Sequence, residues 1–364
     1  MSERAMLMFA EGLKTNNQLT DFFFTHNDLR EHETAGLEFI KTMGNKKELK
    51  SVAFNSCNLN GNLLEELQFA LEAQTSLREL YLFANKIDKD GAKCISAIIK
   101  NKAYLSCLGL SNNKLYKYGA IEIAENGLYG KKNLVKISIE NNSIGNDGLM
   151  EISKALKDCD TLQEIYLYNN ELDDEPISDF TKLLAHQSDL FALGLEFNRI
   201  GYKGLGQILN ALVKHQKLEK LYLNQNDINT QAGDSLFNFI SKVKNLKELR
   251  LSNNVLEDYA GLKLAEAILL NKQLRVCHVA NNKLTSEVAE KYAEVISKNE
   301  QIKDLDLSNN LFIMDELQQL AQAFKESNLE ILNLRGNVVS AEEILAFDAV
   351  LATVANMPKR KFLF

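Results

Sequence analysis

Apolar residues fall along this chain in two alternating rhythms. In Leu246 to Leu256, LKELRLSNNVL, the side chains of Leu249 and Leu251 are two apart and project to one side of an extended strand, while Glu248, Arg250 and Ser252 project to the other. After a short turn the spacing lengthens to that of a helix, as in Leu262, Ala265, Ile268 and Leu269. The skeleton L-x-x-L-x-L-x-x-N-x-L returns as IKDLDLSNNLF from Ile302 to Phe312 and as LEILNLRGNVV from Leu329 to Val339.

The polar member of the skeleton fixes the frame. Asn27, Cys57, Asn85, Asn113, Asn142, Asn170, Asn198, Asn226, Asn254, Asn282, Asn310 and Asn337 follow one another at steps of 27 to 30 residues, mostly 28. Cysteine is the tolerated substitute at this position. Such an amide, placed where a strand ends, is expected to bond backbone groups of its own repeat and the next, which burial would otherwise leave unpaired. One repeat is therefore a strand, a turn and a helix that cannot bury its apolar face alone. Stacked parallel strands sit about 4.8 Å apart and packed helices about 8–10 Å. The expectation is an α/β solenoid of about 12 repeats, bent into a horseshoe with a parallel sheet on the concave face and helices on the convex face.

The ends depart from the period. Residues 1–18 contain a helical stretch with Met6, Phe9, Ala10 and Leu13 on one side, which is expected to be an N-terminal cap or a partial repeat. Repeats occupy 19–339. Residues 340–364 are expected to hold a capping helix opened by Ser340 and Glu343 as a capping box, then a basic tail, Pro358-Lys359-Arg360-Lys361, read as solvated rather than as a nuclear-import signal. The terminal Phe362-Leu363-Phe364 is expected to fold over the last apolar layer. In the sixth repeat, helix formation is expected to start at Pro176 behind Asp173, Asp174 and Glu175.

These repeats, with a glycine after the asparagine (Gly91, Gly119, Gly148, Gly204, Gly233, Gly261) and a full helix, resemble the leucine-rich repeats of the ribonuclease-inhibitor type. The resemblance runs from about Leu19 to Leu351. It implies an intracellular protein that binds other proteins without catalysis. Among similar proteins are the GTPase-activating protein for Ran and the sensor regions of NOD-like receptors, so a GTPase activator, or the inhibitor or sensor part of a larger protein, is the alternative. This chain lacks the long acidic C-terminal tail of the Ran-directed activators, and no catalytic motif of theirs can be matched residue by residue.

Composition narrows the picture further. Forty-two basic and 49 acidic residues leave a net charge of −7 without a charged block, which argues against nucleic-acid or anionic-membrane binding. No apolar run approaches the roughly 18 residues of a spanning helix. Five cysteines (Cys57, Cys94, Cys107, Cys159, Cys277) form no paired framework and suit a reduced, cytoplasmic compartment. Cys107 is expected to face outward, where nothing evident would activate its thiol. Asp88-Lys89-Asp90-Gly91 lacks the remaining ligands of a calcium loop, and the five histidines have no metal-ligand spacing. His278 and Asp306 are expected on adjacent strands, with no nucleophile beside them. No catalytic residue, cofactor or metal site is expected, and the free chain should be a monomer.

Individuality is left to the outward strand positions. Tyr81, Phe83, Tyr166, Tyr168, Phe197 and Tyr222 concentrate aromatic area in repeats three to eight, with Arg250 at their border. Exposed Tyr, Phe and Arg on a rigid sheet make a candidate protein-binding surface. Tyr166 and Tyr222 flank Gly194, either as a socket roughly 10 Å wide or as rings lying across bare glycine backbone.

Overall fold

The computed structural model describes residues 1–175, 177–340, 342, 343 and 360–364. The chain forms two compact units, Met1–Leu190 and Phe191–Phe364. In the first, strands β1 (Asp21–Phe23), β2 (Ser51–Ala53), β3 (Glu79–Tyr81), β4 (Cys107–Gly109), β5 (Lys136–Ser138) and β6 (Glu164–Tyr166) alternate with helices. These are α1 (Glu3–Lys14), α2 (Glu33–Lys41), α3 (Gly61–Leu71), α4 (Lys89–Lys100), α5 (Tyr116–Ile123), α6 (Gly145–Ala155) and α7 (Ile177–His186). Neighbouring strands pair in parallel, one repeat out of step: Val52 lies opposite Leu80, Leu80 opposite Leu108, and Ile137 opposite Ile165.

The second unit continues the alternation with β7 (Ala192–Gly194), β8 (Lys220–Tyr222), β9 (Glu248–Arg250), β10 (Val276–His278), β11 (Asp304–Asp306), β12 (Ile331–Asn333) and β13 (Lys361–Leu363). Its helices are α8 (Tyr202–Leu212), α9 (Gly233–Ile240), α10 (Glu257–Leu270), α11 (Ser286–Lys298) and α12 (Met314–Glu326). Leu221, Leu249, Cys277, Leu305 and Leu332 stand in register across this sheet, all fully buried. The expected repeat of strand, turn and helix is thus present in both units.

The final strand is one more than the twelve expected. Lys361–Leu363 pairs in parallel with β12, and the Phe362 ring packs 5.6 Å from that of Phe324. Arg360 is only partly solvated: its Nε donates to Leu329 O at 2.8 Å and its guanidinium lies 4.1 Å over the Phe324 ring, while Lys361 is exposed. The predicted helix after Ser340 and the residues Pro358 and Lys359 lie outside the described residues, as does Pro176. The capping box itself is made, with Ser340 N donating to Glu343 Oε2 at 2.7 Å and Glu343 N to Ser340 Oγ at 3.2 Å.

The asparagine column is a buried bridge, and it runs to the preceding repeat rather than to the following one. Asn85 Nδ2 donates to Phe54 O at 2.6 Å in the repeat before and to Phe83 O at 3.1 Å in its own, while its Oδ1 accepts from Cys57 N at 2.9 Å. Asn254 repeats this with Leu223 O, Leu251 O and Asn226 N at 3.0, 2.9 and 3.2 Å. Cys57 keeps only the weak donor, Sγ to Phe24 O at 3.1 Å. The residue before each column member has φ between 51° and 69°: His26, Ser56, Ala84, Asn112, Asn141, Asn169, Phe197, Gln225, Asn253, Asn281, Asn309 and Gly336. Asn tolerates that left-handed conformation best among side-chain-bearing residues, which accounts for the Asn-Asn doublets.

A second buried ladder closes the helix ends. Lys46 Nζ donates to Leu13 O, Lys102 Nζ to Glu72 O and Lys131 Nζ to Lys100 O at 2.6, 2.6 and 2.7 Å. Gln74, Gln187, Asn271 and Asn299 do the same with amides, to Gly44, Cys159, Ile240 and Ile268 carbonyls at 2.6–2.8 Å. Each satisfies a carbonyl left over near the end of the preceding repeat's helix. Burial pushes the Lys102 ammonium down to about 8.

Two outcomes are expected from these ladders. Asn170→Ala or Asn226→Ala leaves buried backbone groups unpaired and should cost about 1–3 kcal/mol each in denaturant unfolding. Asn27→Ala should cost less, because half-buried Asn27 bonds only Thr25 O, in its own repeat; equal losses at all three would refute a graded ladder. For Lys102, the unfolded chain binds the extra proton between pH 8 and 10.5, so stability contributed by this site rises with pH across that window. Against Lys102→Gln, the native chain should gain on the order of 1–3 kcal/mol between those limits; parallel profiles would show that the amine is solvated.

Candidate interaction face

Three-residue strands place side chains alternately, so each sheet has an inward row of leucines and an outward row that packs on no helix. In the first unit Tyr81 and Phe83 project outward from the β3 repeat with ring centroids 5.7 Å apart. Both rings lie over Gly109 on β4: a Cβ there would meet Tyr81 Cδ1 at 2.7 Å and would also collide with Phe83. The ring-over-glycine arrangement considered for Gly194 therefore exists at Gly109. Tyr81 Oη contacts Glu79 Oε2 at 3.4 Å, and burial raises its phenol above the ordinary range. Cys107 stands half-buried beside Tyr81 on the same face.

Further along this sheet, Lys136 pairs with Glu164 at 2.8 Å and lies 5.1 Å over the ring of Tyr166. Tyr168, like Tyr166, is half-buried. At the frame position of Tyr168, one repeat earlier, stands Glu140, which the sequence pattern does not single out. It is 91% buried on the sheet face, takes a short hydrogen bond from the Ser111 hydroxyl, and burial raises its carboxyl above the ordinary value. Along the strand ends Asn141 Nδ2 donates to Asn112 Oδ1 at 2.8 Å and Asn169 Nδ2 to Asn141 Oδ1 at 2.6 Å. Asn141-Asn142-Ser143 is formally a glycosylation sequon, and the Asn141 amide is engaged in this outer ladder.

In the second unit the structure joins Tyr222 to Arg250. The guanidinium lies 5.3 Å over the tyrosine ring, Arg250 Nε donates to Glu248 Oε1 at 2.6 Å, and Tyr222 Oη donates to Glu248 Oε2 at 3.1 Å. Arg250, at the border of the aromatic set, thus already holds a carboxylate within its own strand. Burial first, and Glu248 second, push the Tyr222 phenol up to about 12. Gly194 lies in register beside Tyr222. Phe197 is exposed and holds φ 55°, an unusual conformation for a bulky aromatic. His278 stands opposite Asp306, as expected, but pairs with Asp304 at 3.3 Å.

Among the described residues, no group of three or more His, Cys, Asp or Glu side chains is placed to hold a metal ion, and no helix is long and apolar enough to cross a membrane. Asp88 is the N-cap of α4, accepting from Asp90 N and Gly91 N at 3.0 and 3.1 Å.

Comparison with known proteins bears on this architecture. Two family models, each described as a leucine-rich repeat, match residues 73–96 and 161–183. The mouse NACHT, LRR and PYD domains-containing protein 14 is 28% identical over 139 residues, which is 36% of this chain and 14% of that protein's length. The crystal structure of an internalin from Listeria monocytogenes superposes with a TM-score of 0.55 at 17% identity, covering 100% of this chain and 93% of that one. A TDR receptor structure gives 0.44 at 14% identity, over 84% of this chain and 51% of that one, and at that level adds nothing to the fold.

Glu140 generates a prediction. With its folded pKa raised, its contribution to stability is full below the unfolded value and is lost as pH rises through the folded one. Glu140→Gln should therefore raise the melting temperature at pH 7, and the gain should vanish as the pH falls through the ordinary carboxylate range. A loss at pH 7 would mean that the carboxylate is well paired.

Proposed function

We propose, since this chain is a leucine-rich-repeat protein, that it is a non-enzymatic module which holds a protein partner against the outward face of its sheets. Leucine-rich-repeat proteins are in general protein-interaction modules; the face, the partner and the absence of catalysis are the proposal. The observation that carries it is the state of the outward aromatics. Tyr81 and Phe83 are braced on Gly109, and Tyr222 is clamped between Glu248 and Arg250. Side chains held this way present large contact area with little rotamer entropy left to lose on binding. Tyr166, Tyr168 and exposed Phe197 belong to the same outward set.

The finer reading is a monomeric, cytoplasmic protein of the ribonuclease-inhibitor type. A full α-helix in most repeats and a step near 28 residues support the type, and five free cysteines support a reducing compartment. A net charge of −7 disfavours nucleic acid as the partner. One second reading has an observation behind it, that the chain is the sensing part of a larger protein. The mouse relative carries NACHT and PYD domains beside its repeats, by its name, and this chain matches only 14% of it.

The test is affinity capture from the native cell with Tyr166→Ala plus Tyr222→Ala, beside a helix-face control, Lys154→Ala plus Lys157→Ala. Partner recovery should fall tenfold or more, about 1.4 kcal/mol, for the tyrosine pair alone, with both variants folded. Loss confined to the lysine pair would move the binding surface to the helices.

A further inference from the structure

We infer, on the reading that a protein binds the outward face, that Glu140 anchors an arginine side chain of that partner between Ser111 and Tyr168 on the first unit's sheet. One outward row of this unit runs Asn55, Phe83, Ser111, Glu140, Tyr168 on successive repeats, and Glu140 is its charged member. Backbone bonds fix the neighbours: Asn112 N donates to Glu140 O at 2.8 Å and Asn141 N to Tyr168 O at 3.0 Å. Of the two carboxylate oxygens, Oε2 takes the Ser111 hydroxyl. Among the described residues, Oε1 accepts from no other residue. It is not sealed in either, because Tyr292 Oη is the only fully buried side-chain oxygen or nitrogen left without a partner among those residues. Oε1 therefore opens toward the outward face.

A carboxylate buried this deeply is costly unless a cation answers it. Among the described residues Glu140 makes no ion pair, and burial leaves its carboxyl raised above the ordinary value. Elsewhere on the outward faces, a carboxylate and a tyrosine together hold a cation of the chain. Lys136 pairs with Glu164 at 2.8 Å and lies 5.1 Å over the Tyr166 ring. Arg250 pairs with Glu248 at 2.6 Å and lies 5.3 Å over the Tyr222 ring. Glu79 takes hydroxyls instead, from Ser51 at 2.9 Å and Tyr81 at 3.4 Å. For Glu140, with Tyr168 one strand spacing of about 4.8 Å away, the chain provides no such cation. Arginine answers this geometry better than lysine. Its planar guanidinium meets a carboxylate through two N–H groups, stacks on an aromatic face and is less strongly hydrated.

The probe is the blocked peptide acetyl-Gly-Arg-Gly-amide, titrated into the full chain and followed by amide NMR. Saturable shifts are expected at Ser111, Glu140 and Tyr168. The citrulline peptide, which keeps the shape and loses the charge, should give none, and the lysine peptide should bind at least threefold more weakly. Glu140→Gln should weaken the arginine peptide at least fivefold while melting no lower than the parent chain at pH 7, which separates loss of the anchor from loss of the fold. If Glu140→Gln melts lower, the three peptides on the unaltered chain decide the matter. No saturable shift, shifts confined to other residues, equal binding of the citrulline or lysine peptide, or unchanged arginine affinity in a folded Glu140→Gln would overturn the inference. Partner capture lost in Tyr166→Ala plus Tyr222→Ala, with no arginine binding, would keep the face and remove the anchor. Arginine binding at Glu140 with capture intact in that double variant would keep the arginine site and refute the reading of the face.

Discussion

Everything in this chain hangs on an amide that spans two repeats. Asn226 Nδ2 donates to Leu195 O in the repeat before at 3.0 Å and to Leu223 O in its own at 3.1 Å, and the same side chain's Oδ1 accepts from Ile200 N at 3.0 Å. No repeat can satisfy its own turn, so each is completed by the next. That dependence is stronger than hydrophobic stacking alone, because buried backbone groups left unpaired are expensive while leucine faces tolerate some misfit. It also explains the left-handed residue in front of each asparagine: the chain must reverse there to bring the amide inside. At the other end of each helix, Lys46, Lys102 and Lys131 perform the same service for carbonyls, at the cost of burying amines.

The inward half of this architecture was legible because it is written in period two and period 28. Leu249 and Leu251 are equivalent to Leu221 and Leu223 in any repeat, and a single frame finds them all. What escaped has the same period but no single residue type. The helix-end ladder is filled by Lys46, Gln74, Lys102, Lys131, Gln187, Asn271 and Asn299, whose common property is a donor at the end of a flexible or short stem. A search for chemistry at 28-residue steps would have found it, whereas a search for identity could not. The Asn-Asn doublets carry a conformational requirement in their first member that hydrophobic spacing does not reveal. Strand β13 follows a different logic, since its pairing depends on where residues 360–364 return and no repeat spacing announces that.

The candidate face was half legible. Alternation placed Tyr81, Phe83, Tyr222 and Arg250 outward correctly, but it treated them as separate offerings. Contacts within a strand and between repeats, at 2 and at 26 to 28 residues of separation, decide otherwise. Glu248 holds both Tyr222 and Arg250, and Gly109 seats two rings from the repeat before it. These partners are themselves outward residues at known frame positions, so the information was present in the register. It was lost by reading each outward column down the chain and not across neighbouring strands.

A repeat protein acquires individuality only where an outward residue departs from what the frame requires, and the departures here are of two kinds. Glu140 and Gly109 engage the chain itself: one accepts from Ser111, the other is roofed by Tyr81 and Phe83. They shape the face from within. Phe197 is the opposite case. Asparagine occupies its position in Asn141, Asn169, Asn253 and Asn281, where the left-handed backbone suits it, yet here a large apolar ring stands exposed in the same conformation. Backbone cost and solvent cost both act against phenylalanine at that site. The cost of this conformation is local to one repeat, and the frame that sets the other positions does not require it.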